Sequence, residues 1–192
     1  MSLVDISRWQ GVGSRGLPGG SGPRCGQCGS SVWVELAGGY SDDAYHPNID
    51  KRPLPEVDIV HDLETGTIPL HNGHASRIKF IDVLNYLSQG AAREILRECY
   101  RVLVPGGMLY LRVSDLPFVC ERILKDGVVE AWLNCLYHPP DPKTGKEHEE
   151  GCHRCGYSYE SLKVELEAAG FVAVQHLGWY NRWEFKCQAQ KP

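Results

Sequence analysis

The sequence predicts an α/β fold: a mostly parallel sheet of about seven strands, antiparallel at its last strand, with helices on both faces. Three observations predict it. Short apolar runs rich in β-branched and aromatic residues recur along the chain at strand length. Helical-period segments or long crossovers separate several of them, which returns the chain parallel. The final runs, "FVAVQHL" and "RWEFKCQA", read as an antiparallel pair.

Taken in order, residues 1–30 are a Gly/Ser-rich N-terminal arm carrying a Cys-x-x-Cys pair. A stretch such as "GVGSRGLPGGSGPRCGQCGS" (11–30) has nothing with which to build a core. Residues 31–192 are the folded domain, with 117–156 as a lid or insert. "SVWVELA" (31–37) is a buried strand that breaks at Gly38–Gly39. "HPNID" (46–50) is a short second strand ending at Asp50, and "VDIVHDL" (57–63) a third carrying Asp62. "RIKFIDVL" (77–84) begins as the fourth. Over 91–103, Ala92, Ile95, Leu96, Cys99, Tyr100 and Leu103 recur at helical spacing. "PGG" (105–107) stops that helix ahead of a fifth strand, "MLYLRV" (108–113). Residues 117–136 are helical with a break at Asp126–Gly127, and 137–156 form a polar loop. Ser158 caps a helix running to Ala169, with Gly170 at its C-terminal side.

A chain of 192 residues suits one domain with a real core. Its net charge of -4 offers no basic field, so no nucleic-acid partner is expected. Trp33, Trp132, Trp179 and Trp183 read as core or cap residues, because no basic groove accompanies them. No apolar run is long enough to span a bilayer. "MSLVDISRWQ" has neither a basic nor an apolar signal region, so a cytoplasmic chain with no membrane partner is expected. In that compartment eight cysteines do not imply a disulfide framework. Cys99, Cys120 and Cys135 fall in helical patterns and read as small buried hydrophobes.

In a mainly parallel sheet, ligands bind beyond the carboxyl ends of the strands. The residues there are Gly38, Gly39, Asp50, Asp62, Asp82 and Asp115. One acid at a strand end usually caps the next turn or helix. Four acids at four strand ends are more than packing requires. No G-x-G-x-x-G opens a helix after the first strand, which argues against a dinucleotide pyrophosphate site and an oxidoreductase.

The order of these motifs resembles the class I S-adenosylmethionine-dependent methyltransferases, a Rossmann-like family. The closest likeness is to a small subgroup with a strand, a short glycine turn, "N-x-D" and a "VD-x-V-H-D-L" strand. The segments that carry it are "VELAGG", "NIDKRPLPEVDIVHDL", "AAREILRECYRVLVPGGMLYLRVSDL" and "YSYESLKVELEAAGF", spread over residues 31 to 188. The resemblance implies S-adenosylmethionine as cofactor and in-line methyl transfer to an oxygen or nitrogen of a small-molecule or saccharide acceptor. It implies that Glu35, Ala37, Gly38 and Gly39 lie against the methionine part of the cofactor. Asp50 would accept hydrogen bonds from the ribose hydroxyls, and Asp62 with Leu63 would border the adenine. Asp82 and Val83 would face the sulfonium and the incoming substrate. The chain departs from the subgroup at "DVLNYL" (82–87), where "H-x-L-E-H-L" is usual. The alternative functions are therefore a cofactor-binding domain without catalysis and a zinc-stabilised interaction domain on the same fold. The crossover from Gly39 to Asp50 is also too short for a full helix.

Methyl transfer from a sulfonium chiefly requires alignment and exclusion of water. A hydroxyl acceptor also requires a general base. Asp82, Asp115 and His153 are the catalytic candidates. His71 and His74 are further candidate bases, set in a turn where a solvated loop histidine is the plainer reading. Arg112 and Asp115, after the fifth strand, would contact substrate or form a surface ion pair. Finally, "RCGQCGS" and "GCHRCGY" share the spacing Cys-x-x-Cys-Gly. A structural zinc takes four ligands, and the arm and the loop after residue 137 can meet over the cofactor face. Cys25, Cys28, Cys152 and Cys155 are the candidate zinc set. A local set of His148, Cys152, His153 and Cys155, joined by His138, stays open. So do two separate pairs of reduced or redox-active thiols.

Overall fold

The structure, a computed structural model, describes residues 26, 32–40, 46–137 and 152–192. Its sheet has seven strands in the order β3-β2-β1-β4-β5-β7-β6. These are β1 (Val32–Leu36), β2 (Asn48–Asp50), β3 (Ile59–Val60), β4 (Ala75–Ile81), β5 (Leu103–Ser114), β6 (Val172–Trp179) and β7 (Glu184–Gln190). β1 to β5 pair in parallel, and β7 runs antiparallel between β5 and β6. The helices are α1 (Gln89–Val102), α2 (Leu116–Asp126), α3 (Glu130–Tyr137) and α4 (Tyr159–Ala168).

One face of the sheet is apolar. Ile78, Phe80, Leu109, Leu111, Phe185 and Cys187 alternate inward and are fully buried. α1 and α4 touch each other and pack on the β5–β7 side of the sheet. α1 buries Ala92, Ile95, Leu96 and Cys99, the stripe that its helical period predicts. The opposite face carries half-buried polar and apolar side chains in cross-strand register. Examples are Arg77 beside Met108, Lys79 beside Tyr110 and Arg112 beside Lys186. The crossover 51–58 supplies no helix for that face, because it has too few residues for one.

Several boundaries differ from the sequence reading, each for a local reason. The third strand pairs over two residues only. Asp62 then accepts the Glu64 amide and caps a single 3-10 turn, Leu63–Thr65, which ends the ladder. β4 starts at Ala75 and stops at Ile81, because Asp82 takes a left-handed φ of 57°. "PGG" does not simply end a helix. β5 begins at Leu103 and makes an excursion, with its register to β4 slipping between Ala75 and Arg77. Cys120 is exposed rather than buried, and Cys135 is half-buried. Trp179 lies on an exposed strand and is not a core residue.

Ser158 does cap α4. Its hydroxyl accepts the Ser161 amide, and the Ser161 hydroxyl returns to the Ser158 backbone. Ser158→Ala is expected to lower the unfolding free energy by about 1 kcal/mol. The check is a lower urea midpoint at unchanged slope.

Candidate functional site

The carboxyl ends of β1 to β4 open on one cleft of about 420 Å³, within the size range of small-ligand sites. Ala37, Asp50, Arg52, Asp62, Leu63 and Glu64 line its strand side, and Asp82, Val83, Tyr86 and Leu87 its far wall. Cys152 and Arg154 reach it from the segment before α4. The turn after β1 is tightly built. The Gly38 amide donates to Asn48 Oδ1 at 3.1 Å, and the Gly39 amide to Asp50 Oδ2 at 3.0 Å. A Cβ on Gly38 would fall 2.6 Å from Glu35 Cδ and 2.8 Å from Asn48 Oδ1, so only glycine fits. Two non-glycine residues with left-handed φ, Ala37 and Asp82, stand after β1 and β4, and both line the cleft. Strained backbone of this kind clusters at ligand sites. The third, Ala173, lies at an irregularity in β6.

Asp50 is 2% exposed. Its Oδ1 accepts from the Arg52 amide and Nε, and its Oδ2 from Gly39 and Arg52 Nη2. Burial pushes this carboxyl up, but the Arg52 and Gly39 hydrogen bonds outweigh it and hold it below the ordinary carboxylate range. It is therefore an anion at neutral pH. Glu35, also buried, pairs with Lys79 Nζ at 2.8 Å through Oε1, while its Oε2 has no partner among the described residues.

Superposition on solved structures decides the fold. A SAM-dependent methyltransferase from Thermotoga maritima matches with a TM-score of 0.58 at 16% identity, over 85% of this chain and 83% of that one. One from Archaeoglobus fulgidus matches with 0.57 at 12% identity, over 85% and 87%. One from Methanosarcina mazei matches with 0.56 at 17% identity, over 84% and 92%. The chain has the fold of the SAM-dependent methyltransferases. No family model matches the sequence, and no curated protein does.

Against a methyltransferase reading, the placement of the expected residues is informative. Ala37, Asp50, Asp62, Leu63, Asp82 and Val83 line one cleft although they come from four separate strand ends. Glu35 of β1 and Gly38 and Gly39 of the turn after it stand behind the cleft rather than lining it. The residues present fit the cofactor's chemistry. An anionic acceptor suits vicinal hydroxyls, and the orphaned Glu35 Oε2 is a buried acceptor beside the turn. Asp82 is held by Arg112, whose Nε donates to Oδ1 at 2.7 Å and whose Nη2 donates to Oδ2. Arg112 also stacks on Tyr180, with 3.8 Å to the ring centroid. The ion pair expected of Arg112 thus forms with Asp82 and not with Asp115. Asp115 is 8% exposed at the start of α2, and its amide donates to Trp183 O. It lines neither the cleft nor the chamber described next. Burial, and then Glu160, push its carboxyl up against the Phe118 amide and His176.

A second chamber of about 300 Å³ adjoins the cleft and shares Asp82 and Tyr86 with it. Ser114, Asn134, Cys135, Trp183 and Glu184 complete its walls with Asn85 and His153. His153 packs its ring edge-on against Tyr86 at 4.7 Å. Sequence reasoning missed Glu184. The available signal was the antiparallel last strand: its first residue must lie at the carboxyl edge, and Glu184 does sit opposite Ser114.

His71 and His74 are at the opposite end of β4, before Ala75, and are not bases for this site. His74 is buried rather than solvated, with Nδ1 2.9 Å from His71 Nε2. Of the zinc set, Cys25 and Cys28 lie outside the described residues, as do His138 and His148 of the local set. Among the described residues no three His, Cys, Asp or Glu side chains converge on a metal position. The structure also separates the second pair. Cys152 is exposed on the cleft. Cys155 points its thiol at Leu84 O and Leu87 O, at 3.2 and 3.4 Å. Burial pushes that thiol up. No helix among the described residues is long and apolar enough to cross a membrane.

Proposed function

We propose that this chain transfers a methyl group from S-adenosylmethionine to a small-molecule or saccharide acceptor. The observation that carries the reading is the convergence of four strand ends on one cleft, with the anionic Asp50 at the end of β2. Asp50 takes the ribose hydroxyls, Asp62 and Leu63 border the adenine, and the turn from Ala37 to Gly39 with Glu35 holds the methionine end. When bound, the cofactor supplies an electrophilic methyl on a sulfonium. The chain's own part is alignment and exclusion of water. Asp82 and Val83 stand where the cleft meets the chamber, so an acceptor in the chamber lies beside the reacting end. His153 and Asp115 are the proton-handling residues of the sequence reading, and His153 is the one that lines the chamber. The Thermotoga maritima protein, described as a possible histamine N-methyltransferase, favours a small acceptor.

The test is titration calorimetry of the purified chain with S-adenosylmethionine and S-adenosylhomocysteine. Saturable binding of both is expected, followed by consumption of the donor when small metabolites are supplied in pools. Absence of cofactor binding would overturn the reading. Binding without turnover across those pools would favour a cofactor-binding domain without catalysis.

A further inference from the structure

The chamber beside the cofactor cleft has a chemical character of its own. Among the described residues its carboxylates are Asp82 and Glu184, and the guanidinium set between them is Arg112. Both oxygens of Asp82 are taken by that guanidinium. Glu184 is held differently. Its Oε2 accepts Asn181 Nδ2 at 2.6 Å and lies 3.8 Å from Arg112 Nε, too far for a hydrogen bond. No protein donor among the described residues is assigned to its Oε1. Glu184 is therefore the carboxylate of the chamber with an oxygen to offer. Tyr86 and Trp183 add aromatic surface to the same walls, and among the described residues no lysine lines them.

We propose that this chamber receives an amine acceptor, and that Glu184 anchors its ammonium and then takes its proton. The proposal rests on the methyltransferase reading and names its acceptor class. An ammonium satisfies an unpaired carboxylate oxygen and gains from neighbouring aromatic rings. A sugar hydroxyl offers neither charge. The ammonium gives one proton to Glu184 Oε1, and the freed nitrogen lone pair forms the N–CH3 bond as the S–CH3 bond breaks. The sulfur keeps that electron pair in S-adenosylhomocysteine, and the product leaves as a methylated ammonium. Proton uptake at Glu184 is eased by its surroundings: burial, and then the Asp82 charge, push its carboxyl above the ordinary range against Arg112 and Asn181.

The experiment uses the whole chain saturated with S-adenosylhomocysteine, so that cofactor binding is read first. Benzylamine and its uncharged counterpart benzyl alcohol are then titrated by calorimetry, together with methyl glucoside. Benzylamine is expected to bind at least tenfold more tightly than either. Glu184→Gln should abolish that preference, and Glu184→Asp should restore part of it, with both variants binding S-adenosylhomocysteine within twofold of the parent. Cofactor binding with equal affinity for benzylamine and benzyl alcohol would overturn the amine assignment alone. So would preferred binding of methyl glucoside, or a preference that survives Glu184→Gln. Failure of S-adenosylhomocysteine to bind would overturn the underlying reading and this proposal with it.

Discussion

Asp50→Ala is expected to weaken S-adenosylhomocysteine binding by about a hundredfold while the chain stays folded. Two hydrogen bonds to a charged acceptor, taken at the lower end of about 1.5–3 kcal/mol each because Arg52 and Gly39 compete for the same oxygens, set that scale. In the free protein Arg52 and the Gly39 amide already occupy the Asp50 oxygens. On the proposed reading the ribose hydroxyls would enter as donors in place of the guanidinium, with the carboxylate anion as their acceptor. Removing the carboxylate removes the receptor for both. Calorimetry gives the affinity, and an unchanged near-ultraviolet circular dichroism spectrum shows that the core is intact. An affinity within threefold of the parent would sink the ribose assignment.

The second large effect concerns stability and lies far from the cleft. His74 is 1% exposed, its Nε2 has no partner among the described residues, and its ring meets His71. Burial, and then the neighbouring His71, push it down from 6.5 to about 4. Arg101, which donates to Leu70 O and Asn72 Oδ1, holds further positive charge over the same loop. Above pH 6.5 the histidine is neutral in both states and adds no pH dependence. Between pH 6.5 and 4 the unfolded chain takes up a proton that the folded chain refuses. Stability therefore falls as pH falls, by about 1.4 kcal/mol per unit and about 3 kcal/mol in all. Urea unfolding from pH 7 to 4 should show this loss, and His74→Gln should remove most of it. Equal slopes in parent and variant would refute the assignment. The acids held below their ordinary range, Asp50, Glu64 and Glu98, lose stability at lower pH and contribute equally to both chains.

The fold was legible wherever one residue's chemistry acts locally. Alternating apolar residues placed the strands, the Ala92–Leu103 period placed α1, and Ser158 marked the start of α4. The glycine turn after β1 was legible too, because Gly38 has no room for a side chain. Strand ends were less so. Asp62 and Asp82 end their strands through a side-chain cap and a left-handed φ, which no periodicity records. The Asp residues at the strand ends were visible as candidates one by one. That Asp50, Asp62 and Asp82 share one cleft while Asp115 does not was decided by the sheet order, a long-range property.

What the sequence determined by itself is the mostly parallel sheet and the acids at its carboxyl edge, since both follow from residue type and spacing along the chain. Only the tertiary structure decided the partners. Arg112 lies 30 positions from Asp82 and pairs with it because β5 lies beside β4. Glu184 reaches the chamber because β7 runs antiparallel to β5. Cys155 turns to backbone carbonyls because the segment before α4 packs on Leu84 and Leu87. Each is a contact across the sheet or between segments far apart in the chain. The charge a side chain carries is written in its residue type, but what it meets is set by how the strands are ordered.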